Sequence, residues 1–338
     1  MLVDADWYER LNGEFFDQEK LKKSDITTSI PEIDIPGLVA YANGKGVDII
    51  VWLHWLPTSR QMDEAFALYE QWGVKGVKID FMDSDHQDMV NFYHRTLKKA
   101  AEHHLTVDFH GAYKPTGIRR TYPNLLTREG VMGLEYSKWS YRITPEHDCT
   151  IPFTRMLAGP LDYTPGGFSN ATKEQFTPRF KEPMTQGTRC HQLALFVIFE
   201  SPLQMVPDYP ENYRRKKDGI DFIRNVPAVW DETRVLNGEV GDYVTIARKN
   251  GAEWYLGSIT DWTPREITAP LDFLGSGDFV AEIYADGPDT ATNAEQVVMS
   301  TVLVSSDQEL TITLGPGGGQ AIRFFPAPAG TKLPRYRH

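Results

Sequence analysis

Two acidic residues have the surroundings that chemistry needs. Asp80 closes the short run Gly76-Val-Lys-Ile-Asp80, and Glu135 closes Val131-Met-Gly-Leu-Glu135. Each run has the length and apolar character of a strand, so each acid is expected at a strand end. Two carboxylates facing one another across a cleft are what cleavage of a glycosidic bond requires. One attacks or steadies the anomeric carbon, and the other protonates the departing oxygen. Their surroundings must then hold one ionised and the other protonated. A structural carboxylate that only braces a loop is the plainer reading of Asp80 taken alone.

Other residues suit a different chemistry. Asp108 and His110 share one face of Leu105-Thr-Val-Asp-Phe-His110, because side chains two apart on a strand point the same way. His54 ends the run Val47-Asp-Ile-Ile-Val-Trp-Leu-His54. A metal-dependent hydrolase can be built from such residues, but it needs several convergent histidines, and those here are scattered. His110 therefore reads first as a donor to a substrate hydroxyl. Arg119 and Arg120, beside Thr121-Tyr-Pro-Asn124, suit an anion site or a brace for the cleft, and a brace suits a prolyl turn better. Glu129, on the loop entering the Glu135 run, reads on these grounds as a surface charge.

The elements that must position these residues alternate strand and helix. Helices are expected at Ile35–Asn43, at 59–72 and at 87–104, the last on the apolar spacing of Met89, Phe92, Tyr93, Leu97 and Ala100. Strands are expected at 2–8, 47–55, 76–82, 105–110, 131–136 and 202–206, and a buried helix at 191–200. Polar residues at successive strand ends favour a (β/α)8 TIM barrel over a doubly wound sheet. About seven barrel strands can be counted at best. The first begins at residue 2, so the barrel is expected to lack its first strand, and the sequence an N-terminal portion. From Asn237 the pattern becomes period two, with turns rich in Gly, Asp and Pro. Residues 1–236 are thus expected to form the barrel, and 237–338 a small all-β sandwich.

Composition narrows the partners. A formal charge of −11 over 338 residues argues against nucleic acid, since nothing would neutralise phosphates. No apolar run has membrane-spanning length. Cys149 and Cys190 are best read as buried thiols. Aromatic residues make up 12 % of the chain, which suits a sugar-binding cleft and a dense core equally.

Several longer segments resemble glycoside hydrolase family 97. They are Val77-Lys-Ile-Asp-Phe-Met-Asp83, Val107-Asp-Phe-His-Gly-Ala-Tyr-Lys-Pro-Thr-Gly117, Arg120-Thr-Tyr-Pro-Asn124 and Glu129-Gly-Val-Met-Gly-Leu-Glu135. Pro152-Phe-Thr-Arg-Met-Leu-Ala-Gly-Pro-Leu-Asp-Tyr-Thr-Pro-Gly166 and Gly187-Thr-Arg-Cys-His-Gln-Leu-Ala194 continue the match, with Ser201-Pro-Leu-Gln-Met205 and Pro210-Glu-Asn-Tyr213. Inverting members of that family place a glutamate base where this chain has Gly111, and lack the strand-end aspartate. The resemblance therefore implies the retaining branch, an α-galactosidase before an α-glucosidase. Asp80 would be the nucleophile and Glu135 the acid/base. His54, His110, Arg120 and His191 would be contacts for an oligosaccharide or α-glycoside. It also implies a calcium ion, with Glu129 and Glu135 in two of its ligand positions, and a periplasmic or secreted setting. Family members carry a large N-terminal β-sandwich, so that domain of the same protein is expected to be needed. The alternatives are a carbohydrate-binding fragment without catalysis and, behind it, the metal-dependent barrel hydrolase.

Overall fold

The computed structural model describes residues 1–9 and 14–337. The chain divides into two compact units, Met1–Val131 with Pro160–Asp162, and Met132–Gly159 with Tyr163–His338.

The first unit is a parallel sheet of five strands in sequential order: β1 (Leu2–Val3), β2 (Ile50–His54), β3 (Gly76–Asp80), β4 (Thr106–Phe109) and β5 (Leu125–Arg128). The short helix α1 (Gln18–Leu21), then α2 (Ile35–Asn43), α3 (Trp55–Trp72) and α4 (Gln87–Glu102) lie between strands. Asp34 caps α2 by accepting from the Gly37 amide, and Pro36 sits in its first turn, where a missing N–H does no harm. In α4 the buried residues are Met89, Phe92, Tyr93, Thr96, Leu97 and Ala100, a stripe at helical spacing that packs on the sheet. β2 and β3 are covered on both faces, as parallel strands with helical crossovers must be. Strand register pairs His54 with Asp80 and Lys78 with Asp108, so the strands end along one edge.

The second unit begins with a 3₁₀ turn, Leu134–Lys138, followed by α5 (Pro145–Thr150), the small parallel pair β6 (Asn170–Ala171) and β7 (Thr185–Gln186), and the buried helix α6 (Arg189–Ile198). α7 (Pro210–Arg215) and α8 (Ile220–Asn225) lead into eight strands. These are β8 (Glu232–Glu239), β9 (Tyr243–Asn250), β10 (Glu253–Thr260), β11 (Arg265–Pro270), β12 (Asp278–Asp286), β13 (Val297–Ser305), β14 (Glu309–Leu314) and β15 (Gly319–Pro326). Six form an antiparallel sheet in the order β13-β12-β15-β10-β9-β8, and β11 pairs with β14. Leu256, Ala281, Ile322 and Phe324 from the larger sheet pack with Ile267, Ala269, Leu310 and Ile312 from the smaller. This is the all-β region expected from the period-two pattern.

Two expected strands are absent. Residues 131–136 hold a 3₁₀ turn, and the strand lies just before them at Leu125–Arg128. Gly130, at φ +49°, ends that strand, and Gly133 then opens the turn. Residues 202–203 form a bend and 204–206 have no regular structure. Besides the two-residue strands β6 and β7, two longer strands went unforeseen. β8 is largely exposed along its length, and β11 carries charge and ends in Pro270, so neither shows a strong apolar alternation.

Candidate active site

Asp80 stands at the end of β3 and is only 9 % exposed. Its Oδ1 accepts the Phe81 amide at 2.6 Å, and its Oδ2 accepts the Trp52 indole N–H at 3.1 Å. His110 Nδ1 lies 3.3 Å from the same Oδ2. Burial by itself would raise the acid's pKa. The hydrogen bond and charge of His110, the charge of Lys78 and the Trp52 donor outweigh it, and Asp80 is held below the usual carboxylate range. The site is thus built to keep one carboxylate ionised in a poorly hydrated place.

His110 is not spare for a substrate hydroxyl in this arrangement. Its Nε2 lies 3.6 Å from Glu129 Oε1 and 3.8 Å from Asp162 Oδ2, so both ring nitrogens face carboxylates. Burial and Lys78 push its pKa down. The hydrogen bond to Asp80 and the charges of Asp80 and Glu129 push harder, and it rises to about 10. An imidazolium donates from both nitrogens, which suits this setting.

Beneath it lies a second charge cluster. Lys78 Nζ donates to Asp162 Oδ2 at 3.0 Å and lies 4.0 Å from Asp108 Oδ2. All three residues are buried. Burial and the neighbouring Asp162 charge push Asp108 well above its normal range. Lys78, His110 and Asp108 together hold Asp162 down against its own burial. The two carboxyls are thus pushed apart, Asp108 toward its protonated form and Asp162 toward its ionised one.

Gly111 follows His110 at φ +51°, and Phe81 follows Asp80 at φ +67°. A Cβ on Gly111 would lie 2.7 Å from the Phe81 nitrogen and 2.9 Å from Asp80 Oδ1. A side chain at 111 and the aspartate at 80 in this position exclude one another. The Gly111 amide donates to Glu129 Oε2 at 2.7 Å. Glu129 is buried, contrary to the surface charge its sequence context suggested.

The other candidates divide. His54 is buried, with Nδ1 accepting the Leu56 amide at 3.1 Å and Nε2–H donating to the Phe15 carbonyl at 3.1 Å. Burial pushes its pKa down to about 4, against opposing pulls from Phe15 and Asp80, so it is a neutral cap for α3. Its ring stacks on Phe81 at 5.4 Å. His54 thus supports the strand end, with no ring nitrogen left for a sugar. Arg120 is exposed on the 3₁₀ turn Ile118–Arg120. The bracing expected of its loop belongs to Asn124, whose amide donates to the Leu97 and Leu105 carbonyls.

In the second unit, Glu135 is half-buried in the turn Leu134–Lys138. That turn is pinned by Leu134 N–H to the Tyr163 carbonyl at 3.0 Å, and by His147 Nε2 to the Met132 carbonyl at 2.8 Å. His191, expected to touch substrate, is fully buried. Its Nε2 meets Asp148 at 3.2 Å and its Nδ1 meets the Gly318 carbonyl at 3.1 Å, while Tyr163 donates to the same Asp148. In this structure His191 has a packing role. It ties α6 to α5 and to the β14–β15 turn, because an apolar helix carrying one polar ring must satisfy that ring internally.

Sequence reasoning missed Lys78, Asp162 and Trp52. Lys78 sits inside an apolar strand, and a buried lysine requires a carboxylate partner, which is a signal that was legible.

Residues 1–131 match the family model described as Glycoside hydrolase 97. Residues 229–325 match the one described as Glycosyl-hydrolase 97 C-terminal, oligomerisation. The chain is 43 % identical over 303 residues to a retaining alpha-galactosidase of Bacteroides thetaiotaomicron, covering 89 % of this chain and 46 % of that protein. It is 36 % identical over 301 residues to a probable retaining alpha-galactosidase of Streptomyces bingchenggensis, covering 88 % and 44 %. A family 97 glycoside hydrolase from Pseudoalteromonas sp. strain K8, solved in complex with acarbose, superposes with a TM-score of 0.84 at 36 % identity. That match covers 93 % of this chain and 52 % of the other. The chain spans about half the length of the curated relatives it matches. Among the described residues no helix is long and apolar enough to cross a membrane.

Proposed function

Because the chain belongs to glycoside hydrolase family 97, we propose that it serves a retaining α-glycosidase, with galactosides preferred over glucosides. The observation that carries this reading is the state of Asp80, a buried strand-end carboxylate kept ionised by His110, Lys78 and Trp52. Gly111 supports it, since the space a base at that position would need is filled by Asp80 and Phe81. The first unit's five parallel strands are then part of the family's (β/α)8 barrel.

In this mechanism an Asp80 oxygen forms a bond to the anomeric carbon as the bond to the leaving oxygen breaks. Glu135 gives its proton to that oxygen. Glu135, now a carboxylate, takes a proton from water, and the water oxygen displaces Asp80 to restore the acid. His110 does not move a proton in these steps. It holds Asp80 ionised before attack and stabilises it again as the ester breaks. Glu129 offers a buried carboxylate, the hard oxygen chemistry that suits calcium, and Glu135 is the second family-implied donor. Such an ion would supply positive charge that favours ionised acids nearby.

The test is intact-protein mass spectrometry after incubation with a 2-deoxy-2-fluoro α-glycosyl fluoride, wild type beside Asp80→Ala. It should be run on the 338-residue chain and on a form extended upstream. A glycosyl adduct on the wild type that is absent from the variant is expected. Equal labelling of both would move the nucleophile elsewhere. Galactose binding without labelling of either form would favour a non-catalytic carbohydrate-binding role.

A further inference from the structure

The turn that carries Glu135 also carries large rings that face water. Trp139, four residues on, is 50 % exposed, and Phe180 is 72 % exposed. Their rings lie nearly parallel, 27° apart with centroids separated by 6.2 Å. Tyr136, half-buried, supports Trp139 from beneath at 5.2 Å, and Lys138 Nζ stands 5.4 Å from the Phe180 centroid. All of these residues belong to the second unit, as does Glu135. Leaving two large rings side by side in water forgoes the stabilisation their burial would bring. Nothing in the fold of this unit requires it, because the turn is already pinned through Leu134 and Met132.

We propose that Trp139 and Phe180 form a shelf for the leaving-group part of the substrate, a second pyranose ring, with Lys138 beside it to meet a hydroxyl. This rests on the reading of Glu135 as the acid/base. A general acid stands beside the oxygen that departs, so what continues from that oxygen runs past the residues adjoining the acid. A pyranose presents one face of C–H groups, which packs on the electron-rich face of an aromatic ring, and a rim of hydroxyls, which a lysine ammonium can donate to. Trp and Phe together supply such a face, and Lys138 the polar rim. The other occupant of an exposed aromatic pair, an apolar surface of a partner protein, would want neither an ammonium over the ring nor a catalytic carboxylate beside it.

The test compares two substrates of the same sugar in the wild type, Trp139→Ala and Phe180→Ala. One is the α-glycosyl fluoride, whose leaving group has no ring and needs little protonation. The other is the 1→6-linked disaccharide. Contacts with a remote part of the substrate act on kcat/KM of that substrate alone. The ratio of disaccharide to fluoride kcat/KM is expected to fall about tenfold in each variant, the scale for truncating an aromatic anchor. Circular dichroism and Tm check that the exposed substitutions leave the fold intact. Fluoride turnover with an unchanged ratio would overturn the shelf and leave the glycosidase reading standing. Equal losses on both substrates would overturn it too, by showing that the rings only support the Glu135 turn. No turnover of either substrate by the 338-residue chain and by the form extended upstream would sink the glycosidase reading and the shelf with it.

Discussion

Gly111→Ala tests how tightly the nucleophile's position is determined. The residue sits at φ +51°, where a side chain costs about 1–2 kcal/mol. The added methyl would lie 2.7 Å from the Phe81 nitrogen, 2.9 Å from the Phe81 Cα and 2.9 Å from Asp80 Oδ1. Two of these are backbone atoms and cannot swing aside, and overpacking of that kind costs about 1–3 kcal/mol. The expected total is about 2–5 kcal/mol. Gly251→Ala is the control. Its φ of +59° is similar, but no heavy atom lies within 4 Å of its Cβ position, so it carries the strain without the contact. Urea unfolding followed by tryptophan fluorescence should show Gly111→Ala clearly the less stable of the two. Turnover should fall on the order of a hundredfold if the contact displaces the Asp80 carboxylate by close to 1 Å. Equal stability losses in the two variants, with turnover kept in Gly111→Ala, would refute the idea that Gly111 is small to make room for Asp80.

Three other outcomes are expected. Lys78→Met leaves Asp162 buried without its nearest cation and should destabilise the protein by about 3–5 kcal/mol. Adding Asp162→Asn should restore much of that in denaturant unfolding. His110→Gln removes the charge that holds Asp80 down, so the acid limb of the kcat/KM profile should move to higher pH. A limb that stays in place would mean that Asp80 is held down by Lys78 and Trp52 alone. The third concerns Asp286, which burial raises to about 6 against donors that include the Gly315 and Gly319 amides. A carboxyl with a raised folded pKa favours the fold below its unfolded pKa near 4, and loses that contribution as pH climbs through about 6. Asp286→Asn keeps an oxygen for the two amides and cannot ionise. Its Tm relative to wild type should therefore rise between pH 4 and pH 7.

Local signals were legible and distant ones were not. Gly44 and Gly46 marked the end of α2, and the stripe from Met89 to Ala100 determined α4, because chain breaks and packing periodicity act over a few residues. Asp80 could be located for the same reason, as the polar residue that ends an apolar strand. Glu135 was found as an acid but assigned to the wrong kind of element. Gly130 and Gly133 turn the chain where the apolar letters alone suggest extension. Glu129 was misjudged because burial depends on what the rest of the chain lays over it. Asp162 had no local mark, since its meaning comes from Lys78, 84 residues earlier.

That separation bears on how the protein is made. Lys78 leaves the ribosome long before the segment Pro160–Asp162 that completes the first unit. At ordinary translation speeds the 84 residues between the ion-pair partners take roughly 4 to 17 s to synthesise. During that interval β3 can pair with its neighbours, but its lysine lacks the carboxylate it donates to. The sheet is then expected to stay loose on the nascent chain and to lock only when Asp162 arrives. A fragment cut at residue 131, where the compact unit and the family match both pause, would never receive that partner. Expression of the first unit therefore calls for a boundary beyond Asp162.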